Sequence, residues 1–304
     1  MQSFSLTPYK TQLISFTIVF FIILTVITLI RPHIDNDEII YKTLTYNVVH
    51  HHAYSLQGTT LLKDLPSNLY ATPLFFRPPL FVISLAFLYL LLGQVGLALA
   101  PTIIYAFLCF TIYKTALLIT QSEHIALKTL LLSLASPLFL FSSVFIHLDT
   151  LMTLLALLAF YFLMKWRTTG NLKHVLLAGL LLSFSTLTNY TAVILYPLFL
   201  LFLIWQKGKS SIVSGLYLLL PSLISSFWFY PVFGIYHMSV ASLFAKPGKF
   251  TLTHFPFMLM AYQRPFYFYF ITVFLTNPLY LLFFTSLKKK FEKIFLSNAP
   301  YCGF

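Results

Sequence analysis

Asp37, Glu38 and Asp149 are the residues of this sequence whose types and positions are best suited to chemistry. The 304-residue chain has only seven Asp and Glu residues, and three of them fall within positions 35–38, directly after a long apolar run. A carboxylate at a membrane boundary can take a proton from a hydroxyl group or, with other oxygen ligands, hold a divalent cation. These acids therefore predict a catalytic site, in which Asp37 and Asp149 are also candidate metal ligands.

A structural interpretation of the same acids stays open. Asp35 and Glu38 have the spacing of a helix-capping pair, and acidic residues in a first turn are favoured by the helix dipole. Capping does not require Asp37, which shares one helical face with Tyr41 four positions later. Asp149 stands at the mouth of an apolar segment, where a charged residue is either simply solvated or functional.

Two arginines and an aromatic run are candidates for binding an anionic substrate. Arg77 precedes two prolines, and Arg264 precedes an aromatic run that contains Tyr267. A guanidinium group suits bidentate contact with a phosphate. Anchoring at the membrane interface, where aromatic residues are common, also accounts for both arginines.

The composition places all of these residues in a membrane protein. The chain is 59% hydrophobic with a mean hydropathy of +0.86. Its charged fraction is 9%, against roughly 25% in a soluble domain. The formal net charge of +12 does not indicate nucleic acid, because no soluble basic face carries it, and the cytoplasmic excess of Lys and Arg in membrane proteins accounts for it. We expect an all-α integral membrane protein that binds no nucleic acid.

The apolar segments predict about eight transmembrane helices, some of them shorter than the roughly 20 residues that an untilted span needs. A further apolar segment, 80–92, has only 13 residues and lies between a Pro-Pro pair and Gly93. That length is typical of an interfacial or re-entrant helix, so we expect it not to cross. The eight predicted spans are 13–30, 95–119, 129–146, 151–164, 174–188, 191–205, 212–230 and 266–287.

The positions of Lys and Arg orient these spans. If segment 80–92 does not cross, the basic loops near Lys128 and at 165–167, 207–209 and 288–290 all face the cytoplasm, together with both termini. Five of the seven acidic residues then fall on the external side. If the segment did cross, the basic loops would become external, against the positive-inside tendency.

This topology predicts one transmembrane domain over residues 1–304 with its site on the non-cytoplasmic face. Residues 31–79 form a large first external loop that carries interfacial helices and the predicted active site. Residues 231–265 form the third external loop and bring further basic residues to the same side. We expect a multi-pass protein of a prokaryotic plasma membrane rather than of the endoplasmic reticulum.

Several short motifs occur in an order that resembles a known family. An external Asp-Glu pair is followed by His-Ala-Tyr-Ser-Leu-Gln-Gly at 52–58 and Arg-Pro-Pro-Leu-Phe at 77–81, and later by His-Leu-Asp-Thr-Leu at 147–151. A Gly-Leu-rich turn covers 178–192, and Arg-Pro-Phe-Tyr-Phe-Tyr covers 264–269. In order and spacing these motifs resemble the GT-C membrane glycosyltransferases, in particular the dolichyl-phosphate-mannose–protein mannosyltransferase and aminoarabinose transferase group.

The resemblance implies a role for each acidic candidate. Asp37 matches the first-loop aspartate assigned to catalysis, with Glu38 beside it. Asp149 matches the second-loop acid that positions substrate or, in some branches, a divalent metal ion. No other cofactor is implied, and several relatives work without a metal. Because capping accounts for the neighbours of Asp37 and Asp149 lacks a paired acid, we expect Asp37 to be the catalytic base.

The resemblance also implies the substrate contacts. Arg77 stands where a basic residue meets the donor's phosphate, and Arg264 is a second candidate contact. Asn189 replaces the Lys that usually ends the Gly-Leu-rich turn. Tyr41 and Tyr267 complete the predicted substrate-binding set.

The resemblance implies transfer of a hexosyl group, of the mannosyl type, from a polyprenyl-phosphate donor in the membrane lipid. The acceptor would be a hydroxyl group on a protein, lipid or glycan, and transfer would proceed with inversion. A transporter or flippase of lipid-linked sugars is the alternative from another class, and it predicts charges near mid-bilayer and inverted repeats. A truncated and inactive membrane fragment is a third hypothesis, since relatives have more spans.

Overall fold

Apolar sequence forms α-helix in every range that the structure describes. The computed structural model describes residues 8–31, 36–56, 77–207 and 211–230, and within these ranges it contains no strand. All of these residues lie in one compact unit. The predicted all-α fold is confirmed.

The described ranges contain ten α-helices, α1 to α10 in chain order. The helix α7 is followed by a short 3-10 turn before α8 begins. The elements are α1 (Pro8–Ile30), α2 (Asn36–His51), α3 (Pro79–Thr120), α4 (Glu123–Leu134), α5 (Pro137–Val144), α6 (Leu148–Thr169), α7 (Leu172–Thr188), the 3-10 turn (Tyr190–Ile194), α8 (Leu195–Lys207), α9 (Ser211–Leu219) and α10 (Ser222–Phe229).

Six of the eight predicted spans have a helical counterpart of suitable composition. Three helical stretches are long and apolar enough to cross a membrane, namely Pro79–Thr120, Leu148–Thr169 and Ile212–Phe229. Three shorter apolar stretches, Ser15–Ile30, Leu172–Thr188 and Tyr190–Gln206, match further predicted spans. The chain is therefore an integral membrane protein. The predicted span 266–287 lies outside the described residues.

The predicted span 129–146 is not one continuous helix, and whether it crosses the membrane stays a prediction. The structure places two short helices there, α4 and α5, with Ala135 and Ser136 between them. Pro137 at the start of α5 cannot donate a hydrogen bond to continue α4. It also restricts Ser136, which has an extended backbone with φ −72° and ψ 118°. The conformational restriction at Pro137 therefore divides an apolar run that hydropathy alone would predict to be one helix.

The boundaries predicted for segment 80–92 are confirmed. Pro78 is extended and Pro79 is the first residue of α3, the position at which proline is favoured. The helix then breaks at Gly93, whose φ of 61° and ψ of −144° are open in practice only to glycine. At Gly96, a Cβ would lie 2.2 Å from the carbonyl oxygen of Leu88, so the two sides of the break approach closely. That the segment does not cross the membrane stays a prediction.

α3 is the element against which the first half of the chain packs. It contacts α1, α2, α4, α5 and α6, and buried side chains such as Leu85, Leu97 and Leu108 lie in one apolar cluster along it. Hydroxyl groups add polar links within this core. Thr28 of α1 and Thr102 of α3 lie 3.0 Å apart, and Thr102 donates to the Ser143 carbonyl at 3.1 Å. Such interhelical contacts fix helices in a medium where hydrophobic association is weak.

A second apolar cluster joins α6, α7, α8 and α9, with Trp166, Ala178 and Leu218 completely buried in it. α7 and α9 approach each other closely. A Cβ built on Gly179 would lie 2.2 Å from the carbonyl oxygen of Leu218, so the two backbones touch at this glycine. The contact is of the small-residue kind that membrane helices use to pack tightly.

Replacing Gly179 by Ala should force α7 and α9 apart and destabilise the protein by about 1–3 kcal/mol, the usual cost of overpacking. The measurement is thermal unfolding of the purified protein in detergent. Gly215→Ala is the matched control, because its Cβ would meet only the Leu200 side chain at 3.4 Å, an ordinary contact. Equal melting temperatures for the Gly179 and Gly215 variants would contradict this account of the α7–α9 contact.

Candidate active site

α2 presents the first predicted site residues from a helix held against α3. The helix begins at Asn36, with Asp37 and Glu38 in its first turn. Tyr41 and Leu44 are buried in the first apolar cluster, where the Tyr41 ring meets Phe81 edge-on at a centroid distance of 4.8 Å. This packing fixes the rotation of α2 and therefore the direction in which Asp37 points.

Arg77 binds two of the predicted site residues at once. Its Nη2 atom donates to Asp37 Oδ1 at 2.5 Å, and its Nη1 atom donates to the Tyr41 hydroxyl at 2.9 Å. The prediction that Asp37 and Tyr41 share a helical face is confirmed, since one guanidinium group reaches both. The Arg77 side chain is 15% exposed and that of Asp37 is 41% exposed. The carboxylate of the pair is thus accessible, whereas the cation is largely covered.

Tyr54 contacts the backbone of Arg77. The Tyr54 hydroxyl donates to the Arg77 carbonyl at 2.8 Å and lies 3.1 Å from the Pro78 carbonyl. Burial of the guanidinium would lower the pKa of Arg77, but the nearby Tyr41 and Asp37 leave this pKa raised. Arg77 is therefore a fixed and permanently positive group beside the Asp37 carboxylate.

Glu38 points to the opposite side of α2 and is completely buried. Its Oε2 atom pairs with Arg31 Nη2 and its Oε1 atom with Lys42 Nζ, both at 2.7 Å. Burial alone would raise the pKa of Glu38, but the hydrogen bonds and charges of Lys42 and Arg31 outweigh it and lower this pKa. The carboxylate is therefore ionised, engaged on both oxygens and shielded from an approaching acceptor.

Arg31 connects this buried pair to the loop before α6. Its Nε atom donates to the Val144 carbonyl at the end of α5 at 2.8 Å, and its guanidinium lies 4.4 Å from the centre of the Phe145 ring. One cation thus joins the end of α1, the start of α2 and the end of α5. These contacts set the position of α2 relative to the segment that leads to Asp149.

Asp149 and Asn189 meet at neighbouring helix ends. Asp149 is exposed in the first turn of α6, where the helix dipole favours a carboxylate. Asn189 ends α7 with an extended backbone, and its side-chain oxygen accepts from the Thr191 amide to start the 3-10 turn. Its Nδ2 atom donates to Asp149 Oδ1 at 3.0 Å. The amide that replaces the expected lysine is therefore directed at the second-loop acid.

The two acidic positions Asp37 and Asp149 converge on Tyr41. Burial raises the pKa of the Tyr41 hydroxyl, Arg77 lowers it, and the charges of both Asp37 and Asp149 raise it further. Both carboxylates are therefore within electrostatic reach of one hydroxyl group. The structure brings together Asp37, Tyr41, Arg77, Asp149 and Asn189, whereas Glu38 lies behind this group.

Aromatic side chains border the same group. The ring of Trp228 in α10 meets that of Tyr54 edge-on at 5.4 Å, and its Nε1 atom donates to the Tyr190 hydroxyl at 2.8 Å. This contact links the first loop to the 3-10 turn and to α10. The sequence analysis assigned no role to Tyr54, Tyr190 or Trp228, although Tyr54 and Tyr190 lie within the motifs at 52–58 and 178–192.

Two of the residues that sequence reasoning missed carried a detectable signal. Lys42 follows Glu38 by four positions, the spacing of an intrahelical ion pair. Arg31 directly follows the first apolar run, but only the fold shows that it turns back to Glu38. Arg264 and Tyr267 lie outside the described residues, so their predicted roles stay predictions.

The described residues contain no group of three His, Cys, Asp or Glu side chains that could hold a metal ion. Glu38 directs both oxygens at cations, and Asp37 is bound by Arg77. The three acids are therefore not assembled as a ligand set in this arrangement.

Comparison with known families decides the class of this site. Residues 77–235, more than half of the chain, match the dolichyl-phosphate-mannose-protein mannosyltransferase family. The chain belongs to this family. It is accordingly a membrane glycosyltransferase of the GT-C type. Comparisons with curated proteins and with solved structures gave no match.

The family match covers only part of the candidate site. Arg77, Asp149 and Asn189 lie inside the matched range, as do Tyr190 and Trp228. Asp37 lies before it, so its inclusion in the candidate site rests on the contact with Arg77. The ion pair thus connects Asp37 to the part of the chain that matches the family.

Proposed function

We propose that this membrane glycosyltransferase moves a sugar from a polyprenyl-phosphate donor to a hydroxyl group of a protein or glycan on the non-cytoplasmic face. The ion pair between Asp37 and Arg77 is the observation that carries the proposal. In this pair an accessible carboxylate lies beside a fixed cation, just before the N-terminus of the long apolar helix α3. A lipid-borne phosphate would reach such a pair from within the membrane.

The proposed reaction is a direct displacement at the anomeric carbon. The acceptor oxygen forms a bond to that carbon as the bond to the phosphate oxygen breaks, which inverts the configuration. The acceptor proton passes to the Asp37 carboxylate, and the electron pair of the broken bond leaves on the polyprenyl phosphate. Arg77 stabilises that leaving charge, and Asp149, oriented by Asn189, positions the sugar.

The Arg77 guanidinium group is shared between the proposed base and the proposed donor site. Both Nη atoms of Arg77 donate to the Asp37 carboxylate, so a donor phosphate would compete with Asp37 for these N–H groups. Binding of the donor would therefore release the Asp37 carboxylate to contact the acceptor hydroxyl.

The test of this function is sugar transfer by the purified full-length protein. Polyprenyl-phosphate sugars carrying a radiolabel would be supplied with peptide and glycan acceptors, and transfer would be followed by chromatography. Transfer from a polyprenyl-phosphate sugar supports the proposal. Transfer from a nucleotide sugar alone would contradict the class of donor.

Replacing Arg77 by Ala should weaken donor binding about 10- to 100-fold, because a hydrogen bond to a charged group is worth about 1.5–3 kcal/mol. Acceptor affinity should change much less. The measurement is the dissociation constant of a polyprenyl phosphate, together with KM for each substrate. Arg77→Lys, which keeps the charge and loses the bidentate geometry, should give an intermediate value.

Arg167→Ala is the matched control for this experiment. It removes the same side chain from the last turn of α6, whose first turn holds Asp149. Two outcomes would contradict a role for Arg77 in donor binding. One is unchanged donor affinity in both Arg77 variants, and the other is an equal loss of donor affinity in the Arg167 variant.

A further inference from the structure

A groove between α3 and α6 lies away from the candidate active site. It encloses about 350 Å³ and is lined by Phe107, Phe110, Thr111, Lys114, Leu154, Leu158 and Tyr161. Thr102 of α3 donates a hydrogen bond to the carbonyl of Ser143, which lies five residues before α6 begins. The lining residues of both helices follow this contact along the chain, so the two helices run in the same direction. The groove therefore runs parallel to two spans for two helical turns, roughly 10 Å. Its walls are apolar except for one threonine, one tyrosine hydroxyl and one ammonium group.

Two ammonium groups lie at the same end of this groove. Lys114 Nζ is 5.3 Å from the centre of the Phe110 ring, and Lys165 Nζ is 5.3 Å from the centre of the Tyr161 ring. Both rings line the groove. Among the described residues, neither lysine has a carboxylate within ion-pair distance. Within the described part of the chain, this end of the groove therefore carries two positive charges that face aromatic rings.

Both lysines lie near the C-terminal ends of helices that are long and apolar enough to cross a membrane. Lys114 lies six residues before the end of α3, and Lys165 lies four residues before the end of α6, which corresponds to about 9 Å and 6 Å. Long cationic side chains at such positions extend toward the membrane surface. There they meet the phosphates of the leaflet, while the apolar groove continues toward the bilayer centre.

We propose that this groove binds an anionic phospholipid, with one acyl chain between α3 and α6 and the phosphate between Lys114 and Lys165. Charge selects the ligand, because a basic pocket between transmembrane helices favours anionic headgroups. The site differs from that of the donor. Asp149 is 16 residues before Lys165 on the same helix, so the two sites are separated by about 24 Å along α6.

The test compares two phospholipids with the same acyl chains. Purified full-length protein would be incubated with vesicles of phosphatidylglycerol or phosphatidylcholine and then extracted again into detergent. Native mass spectrometry would measure the lipid that stays bound to the protein. We expect retention of phosphatidylglycerol. The double substitution of Lys114 and Lys165 by Gln should weaken this retention about tenfold or more, given the contribution of each lysine near an anionic surface.

Two further variants separate charge from shape. Leu158→Trp fills the groove without changing the charge, and it should also reduce retention of phosphatidylglycerol. Lys128→Gln removes an exposed lysine of α4 that does not line the groove, and it should leave retention unchanged. Equal retention of both lipids by the wild type, or of phosphatidylglycerol by the wild type and the double variant, would overturn the proposal. So would retention of a polyprenyl phosphate in place of phosphatidylglycerol.

Discussion

Asp37→Asn is expected to lower the rate of sugar transfer about 100-fold or more, the usual effect of losing a general base. The asparagine keeps the shape of the side chain and an oxygen that still accepts from Arg77, but it cannot take a proton from the acceptor. The Asp37 side chain is 41% exposed, so the substitution should not unfold the protein. The measurement is kcat at saturating donor, with donor affinity and melting temperature recorded for the same preparation.

The controls for Asp37 separate a lost base from a displaced arginine. Glu123→Gln makes the same carboxylate-to-amide change at an exposed position in α4, and it should retain normal activity. A large loss of donor affinity in Asp37→Asn would mean that its main role is to hold Arg77. Near-normal transfer by Asp37→Asn, combined with an inactive Asp149→Asn variant, would assign the base to Asp149 instead.

Glu38→Gln is expected to destabilise the protein by about 3 kcal/mol or more, because removing one partner of a buried ion pair leaves an uncompensated charge. Arg31 is only 8% exposed, so water cannot solvate it well after the substitution. The measurement is thermal or chemical unfolding in detergent. The folded fraction should still transfer sugar with the pH profile of the wild type, since Glu38 positions α2 and does not meet the acceptor.

The pH dependence of this effect follows from the lowered pKa of Glu38. A carboxyl group with a folded-state pKa below its ordinary value of 4.5 contributes stability above that value. The contribution is lost as pH falls through the lowered pKa. The stability difference between wild type and Glu38→Gln should therefore be constant from about pH 6 to 8 and shrink only in acid.

The double variant Arg31→Met with Glu38→Gln completes the test. If the two residues act as a pair, the double variant should lose less stability than the two single variants together, because neither charge is then left without its partner. Strict additivity would contradict the pairing. An altered pH–rate profile in Glu38→Gln would instead return Glu38 to the catalytic group.

The sequence favoured Asp37 over Glu38 as the base, but it did not show that the two carboxylates lie in different surroundings. The resemblance placed both residues in the catalytic set. One residue of rotation on a helix turns a side chain by about 100°. Packing of Tyr41 and Leu44 against α3 accompanies the burial of Glu38 and leaves Asp37 accessible. Burial against another helix is a tertiary property, and it separates the surroundings of the two acids.

The sequence by itself determined the class of the protein and the outline of its helices. Low charge and long apolar runs require spans, because backbone groups in lipid must bond within helices. Proline and glycine chemistry is also local, so the boundaries at Pro79 and Gly93 follow from the chain alone. The division of segment 129–146 at Pro137 was readable from the same rules but was outweighed by hydropathy.

Only the tertiary structure decided which distant residues meet. Arg77 reaches Asp37 across 40 positions, and Asn189 reaches Asp149 across another 40. The predicted topology assigned these residues to one external face of the membrane, but it could not predict which of them are in contact. Their contacts depend on where α2, α6 and α7 end after packing against α3 and against one another. Side-chain burial and helix packing are properties of the whole fold, and they bring four separate polar positions into the candidate site.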